Sequence, residues 1–141
     1  MGTMRVRHVH GDRFEIDVRG HVIAVDQPVE DGGGDTAPTP TELFVAGLTS
    51  CVGFYARRYL VRHGLPDDGL TVTGEFDMAA KPARVDNINI EITLPKAVPA
   101  DRREVLLAVA SHCTVHNTLT HRPHVRVAFA DTAADDTRAS A

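Results

Sequence analysis

Pro38-Thr39-Pro40-Thr41-Glu42-Leu43-Phe44-Val45-Ala46-Gly47-Leu48-Thr49-Ser50-Cys51 is the stretch from which the rest of the chain can be ordered. Thr39 suits a helix N-cap, and Pro40 fits the first helical position, where no backbone N–H is needed. Glu42, at the third helical position, can reach back to the N–H of the cap residue, which completes a capping box. A helix is therefore predicted to start here. Phe44, Leu48, Cys51, Tyr55 and Tyr59 recur at three- and four-residue spacing, and Leu43, Val45, Ala46, Gly47 and Val52 fill much of the remaining circumference. A helix apolar nearly all round is a buried one, so its first half belongs in the core. Beyond Tyr55 the arginines Arg57, Arg58 and Arg62 mark a wetter end, and Gly64 is a natural stop.

On the N-terminal side, three short β-prone bursts, Val6 to Val9, Phe14 to Val18 and His21 to Val25, are separated by turn signals at Gly11-Asp12 and Arg19-Gly20. They read as a small antiparallel meander. Residues 27–38, with Asp31-Gly32-Gly33-Gly34-Asp35, carry too much glycine and proline for a regular element and read as a surface loop, its glycine run most simply a plain linker. On the C-terminal side, Leu70 to Met78 reads as a strand. Asp86-Asn87-Ile88-Asn89-Ile90-Glu91-Ile92-Thr93-Leu94 alternates so strictly that a one-sided strand facing helices is expected. Pro99 or Asp101 opens a second helix through Val105, Leu106 and Val109 that runs toward Cys113, and Val125 to Phe129 reads as a last strand after Pro123. The order of strands, helix, strands, helix and strand is an α+β layout, expected as one domain over residues 1–130. The Ala-, Asp- and Thr-rich tail over 131–141 is expected to be disordered.

An apolar fraction of 43% and a charged fraction of 24% are those of an ordinary globular protein, and a net charge of -4 with scattered basic residues argues against nucleic acid as a partner. No run approaches the roughly 18 apolar residues that cross a bilayer, and the N-terminus lacks an apolar leader core. The expected location is the cytoplasm, with no membrane partner. In that reducing compartment the chain's two cysteines are read as free, catalytic, transiently bridged or metal-bound. Taken alone, Cys51 reads as a small core hydrophobe, because a thiol amid apolar side chains is inert. Cys113 stands in Ser111-His112-Cys113-Thr114-Val115-His116-Asn117, at a helix end or break among groups that hydrogen-bond or carry protons. His112 and His116, spaced i and i+4, could join the cysteines in a zinc or copper site. Asp31 and Asp35 lack the remaining ligands of a calcium loop, and no dinucleotide or phosphate-loop fingerprint follows a predicted strand, so no cofactor is expected.

The segment Pro38 to Cys51, followed by His112-Cys113-Thr114-Val115-His116-Asn117-Thr118-Leu119, resembles the OsmC/Ohr family of thiol-dependent hydroperoxide reductases, over roughly Phe14 to Phe129. The resemblance implies antiparallel sheets packed on two central helices, an intertwined homodimer, and active sites at the subunit interface. It further implies that Cys51 attacks a peroxide and becomes a sulfenic acid, that Cys113 resolves it as a disulfide, and that an external thiol closes the cycle. An arginine from the N-terminal strands is implied beside the attacking thiolate, and Arg13 or Arg19 can fill that place, with Arg13 favoured. In the hydroperoxide-reducing branch a glutamate follows the helix-start proline and orients the arginine. Here Thr41 holds that position and Glu42 comes one residue later, so Glu42 is a site candidate as well as a cap. That branch also tends to show Cys-Pro where this chain has Cys113-Thr114. Two other readings compete: a non-catalytic dimer of the same fold that binds a small apolar ligand, and a Cys/His metal-binding protein.

Overall fold

The computed structural model describes residues 1–130. Strands β1 (Arg5–His10), β2 (Arg13–Val18) and β3 (His21–Val25) lead through a short 3-10 turn at Val29–Asp31 to the long helix α1 (Pro40–Arg62). The hairpin β4 (Thr71–Ala80) and β5 (Ala83–Thr93) follows, then helices α2 (Ala100–Ala110) and α3 (Thr114–Thr120). Both sheets are antiparallel, one of three strands in the order β1-β2-β3 and one of two. The fold is α+β, as the sequence pattern predicts.

Helix α1 begins as its first residues require. Thr39 Oγ1 accepts from the Glu42 N–H at 3.1 Å, and the Thr39 N–H donates to Glu42 Oε1 at 2.9 Å, so two otherwise orphaned donors are satisfied reciprocally. At the far end Gly64 takes a left-handed φ of 64°, and the N–H groups of Gly64 and Leu65 close onto the carbonyls of Val61 and Leu60. A side chain at Gly64 would strain that backbone, which is why the helix stops there. Leu48, Val52, Ala56, Tyr59 and Leu60 of α1 meet Val98, Leu106 and Ala110 in a single buried cluster, against which Ile88, Ile90 and Ile92 of β5 pack. Burying Leu60 and Leu106 fully contributes about 1.5–3 kcal/mol apiece. Strand β4 crosses α1 at a distance that only glycine permits at Gly74, where a Cβ would stand 2.3 Å from Thr49 Oγ1.

Three sequence expectations change. The second helical region is two helices, because the backbone leaves the helix over Ser111 to Cys113 and restarts at Thr114. The expected strand from Val125 to Phe129 is absent: its residues belong to neither sheet, with Val127 and Phe129 exposed at 93% and 96%. Alternation of apolar residues expresses a preference for a pleated surface, and a strand forms only where a partner edge is available. Residues 27–38 are not a plain linker, since they are organised around Asp26 as described below. The tail over 131–141, expected to be disordered, lies outside the described residues.

The meander itself makes almost no contact with the helices or the second sheet of its own chain. Its register puts Val6, Ile16 and Ile23 across from one another on one face, with Phe14 beside them, and Val6, Phe14 and Ile23 are exposed. Among the described residues no helix is long and apolar enough to cross a membrane.

Candidate functional site

Cys51 lies midway along α1, partly buried, and Cys113 lies in the break between α2 and α3, fully buried; both are free thiols. They belong to one packed cluster, so two residues far apart in sequence become neighbours. A second contact fixes their register. Tyr55, one turn beyond Cys51, and Thr114, next to Cys113, share a hydrogen bond of 2.8 Å between their hydroxyls, tying α1 to the first turn of α3. Cys113 is also the N-cap of α3, with an extended backbone and its Sγ accepting from the His116 N–H at 3.4 Å. Burial pushes the Cys113 thiol above its ordinary range, and the hydrogen bond and charge of the adjacent Cys51 push it further, against the lowering effect of the His116 and Val115 N–H groups. The proton is therefore held on Cys113.

The other candidates are scattered. Arg13 opens β2 and donates from Nη1 to Thr36 Oγ1 at 2.8 Å, while its Nη2 is 4.0 Å from Glu15 Oε2. Arg19 occupies the exposed β2–β3 turn with φ of 53°. The Glu42 carboxylate is engaged by the Thr39 N–H as a helix cap. Within this chain neither arginine is hydrogen-bonded to a cysteine among the described residues.

The sequence reading passed over Asp26, the one buried charged side chain among the described residues. It accepts from the Thr36 hydroxyl at 2.6 Å and the Thr36 N–H at 3.0 Å, and from the N–H groups of Gln27 at 2.8 Å and Gly34 at 3.5 Å. These bonds, the Thr36 hydroxyl foremost, outweigh burial and hold the carboxyl at about 2, below its ordinary 3.8. The signal available in sequence was an acidic residue at the end of an apolar strand, followed by glycines and a threonine whose donors need an acceptor. Because the folded-state value is depressed, the stabilisation is present above 3.8 and is lost as pH falls toward 2. The melting-temperature gap between the wild type and Asp26→Asn should accordingly narrow on acidification through that window; a gap independent of pH would contradict the assignment.

A cavity of roughly 330 Å³ opens between β5, α1, α2 and α3. Leu48, Val52, Ile88, Ile90 and Leu107 supply its apolar wall, and His116, Ser111 and Asp86 its polar points. His112 is turned away to the Ala108 carbonyl, 2.7 Å from its Nδ1. Among the described residues no group of three or more His, Cys, Asp or Glu side chains is disposed to hold a metal ion.

The model of a family described as OsmC-like protein matches residues 32–128, a span that takes in both cysteines and the whole of the cavity lining. The chain belongs to the OsmC-like family. Among solved structures, this OsmC-like protein is similar to an osmotic stress induced and detoxification response protein from Psychrobacter arcticus, at 25% identity and a TM-score of 0.78 over 84% of this chain and 88% of that one. It shares the fold of an organic hydroperoxide resistance protein OsmC from Legionella pneumophila, at 19% identity and a TM-score of 0.60 over 84% and 88% of the two chains. An organic hydroperoxide resistance protein from Elizabethkingia anophelis has the same fold, at 16% identity and a TM-score of 0.67 over 86% and 89%. No curated protein matches the chain. Arg13, Arg19 and Asp26 fall outside the matched span of the OsmC-like model.

The two thiols of this OsmC-like protein should react in a fixed order. Cys113 has no exposed surface and a raised thiol, whereas Cys51 is partly open. At about pH 8, iodoacetamide is expected to label Cys51 at least about tenfold faster than Cys113, read site by site by mass spectrometry. Equal labelling rates would show that burial does not protect Cys113.

Proposed function

We propose that this protein is a thiol-dependent peroxidase that reduces organic hydroperoxides, working in the cytoplasm as a homodimer. The Cys51 thiolate attacks the terminal peroxide oxygen, the O–O bond breaks, and the alkoxide leaves as the alcohol after taking a proton, which oxidises Cys51 to a sulfenic acid. The Cys113 thiol then attacks that sulfur, water departs, and a Cys51–Cys113 disulfide forms. Two equivalents of an external thiol reduce it, so one hydroperoxide and two thiols yield one alcohol, one water and one disulfide.

The observation that carries this reading is the adjacency of the only two cysteines, one partly exposed and the other buried beside it with its proton retained. An attacking sulfur needs access to solvent, and a resolving sulfur needs proximity and protection until it is called on. The apolar cavity beside α1 suits the hydrocarbon part of an organic hydroperoxide. The names of the Legionella and Elizabethkingia structures point in the same direction. Arg13 is the guanidinium we favour beside the thiolate, reaching it across the subunit interface.

The same cavity favours a second reading, a non-catalytic dimer that binds a small apolar ligand. Thiol counting before and after about one equivalent of cumene hydroperoxide separates the two. A peroxidase loses both thiols of each chain, and a ligand-binding protein loses neither.

A further inference from the structure

Asp26 is a buried carboxylate to which the peroxidase chemistry gives no task. We infer that it is a positioning residue, fixing the guanidinium of Arg13 through the hydroxyl of Thr36, an inference that rests on the peroxidase reading in which Arg13 faces the Cys51 thiolate.

Proton bookkeeping makes the relay directional. A threonine hydroxyl has one proton to donate. With Asp26 ionised, that proton can only go to Asp26 Oδ2, at 2.6 Å. The Thr36 oxygen then presents its lone pairs outward, and Arg13 Nη1 donates to it at 2.8 Å. A buried anion is thus joined to a partly buried cation by one hydroxyl, with every donor and acceptor along the line matched.

The relay is rigid because the loop that carries it is closed on itself. Asp26 N–H donates to the Pro38 carbonyl at 3.0 Å and Asp35 N–H to the Gln27 carbonyl at 2.9 Å. At Gly33 the chain folds so tightly that a Cβ would meet the Gln27 carbonyl oxygen at 2.0 Å. Three residues past Thr36 the chain becomes the cap of α1, so the hydroxyl is anchored at both ends.

Glu42 and Glu15 are each engaged more closely by another group. Glu42 is engaged by the Thr39 N–H, and Glu15 lies 2.6 Å from Arg7 but 4.0 Å from Arg13. Among the described residues Arg13 Nε has no partner, which leaves one guanidinium edge for a thiolate and a departing oxygen. A guanidinium already held in one orientation stabilises developing charge with little reorganisation.

The test uses full-length protein and reads the iodoacetamide labelling rate of Cys51 at about pH 7, where thiolate content limits the rate. Arg13→Ala should slow labelling about tenfold or more, since loss of a nearby opposite charge raises a thiol by at least about a unit. Thr36→Val should slow it about threefold or more through misorientation, and Thr36→Ser, which keeps the hydroxyl, should restore the wild-type rate. In the Arg13→Ala background Thr36→Val should add nothing. Asp26→Asn should behave as Thr36→Val does, and if that variant fails to fold the threonine pair still decides the matter. No effect of Arg13→Ala would overturn the role of Arg13 and this inference with it. Slowing by Arg13→Ala with none by Thr36→Val would overturn the relay alone, as would an equal effect of Thr36→Val with and without Arg13.

Discussion

Cys51→Ser is expected to reduce hydroperoxide consumption at least about a thousandfold, to the level of uncatalysed reaction with the external thiol. Serine keeps the shape of the side chain and removes its chemistry: a hydroxyl at neutral pH offers almost no anion, and oxygen does not form the sulfenic acid from which the cycle continues. Cys113→Ser should behave differently. Its first turnover proceeds, because the attacking sulfur is intact, and the protein then stalls with a sulfenic acid on Cys51 that dimedone traps. The two variants together separate attack from resolution. A Cys51→Ser protein that consumed cumene hydroperoxide at the wild-type rate would end the proposal, whatever Cys113 did.

Ile23→Asp is expected to break the proposed homodimer. The meander of β1, β2 and β3 folds apart from the helices of its own chain, yet Val6, Ile16 and Ile23 align on one face. A sheet of three strands with an uncovered apolar face is marginal in water and calls for a second surface. Placing a carboxylate in the middle of that face, opposite Ile16, forfeits the burial of one isoleucine and adds desolvation of a charge, together about 3 kcal/mol or more. In sedimentation equilibrium at about 10 µM the wild type should behave as two chains, and Ile23→Asp should raise the dissociation constant about a hundredfold or more. If Arg13 works across the interface, peroxide turnover falls with dilution of the variant and recovers on concentrating it. A wild-type protein sedimenting as a single chain would contradict the dimer.

Much of the architecture is legible where a local rule acts alone. Thr39, Pro40 and Glu42 announce the start of α1, and the observed hydrogen bonds are the ones those residue types permit. Ile88, Ile90 and Ile92 announce a one-sided strand, and all three pack against the buried cluster. Val125, Val127 and Phe129 carry the same signal and form no strand in this chain. Periodicity reports what a segment prefers, and pairing depends on an edge that only the assembled molecule can supply.

The candidate site divides along the same line. Cys51 and Cys113 were visible as chemistry-bearing residues, but no spacing rule says that a thiol in the middle of one helix and a thiol capping another share a core. That depends on α1 packing against α2 and α3, and on the Tyr55–Thr114 hydrogen bond that sets their register. Glu42 is legible in sequence as a cap as well as a site candidate, and its carboxylate accepts from the Thr39 N–H. Asp26 and Thr36 carry only a general signal in sequence, an acid ahead of glycines and a threonine, and their pairing at 2.6 Å is a matter of how the loop between them folds. The amino-acid order by itself determined where α1 and the paired strands lie, because capping, turn chemistry and apolar period act over a few residues. Only the tertiary structure decided which of those elements touch, and with them that Cys113 is the fully buried thiol and that Asp26 stands behind Thr36 and Arg13. Burial and hydrogen-bond partners are properties of neighbours in space, and the two thiols that meet here stand 62 residues apart in the chain.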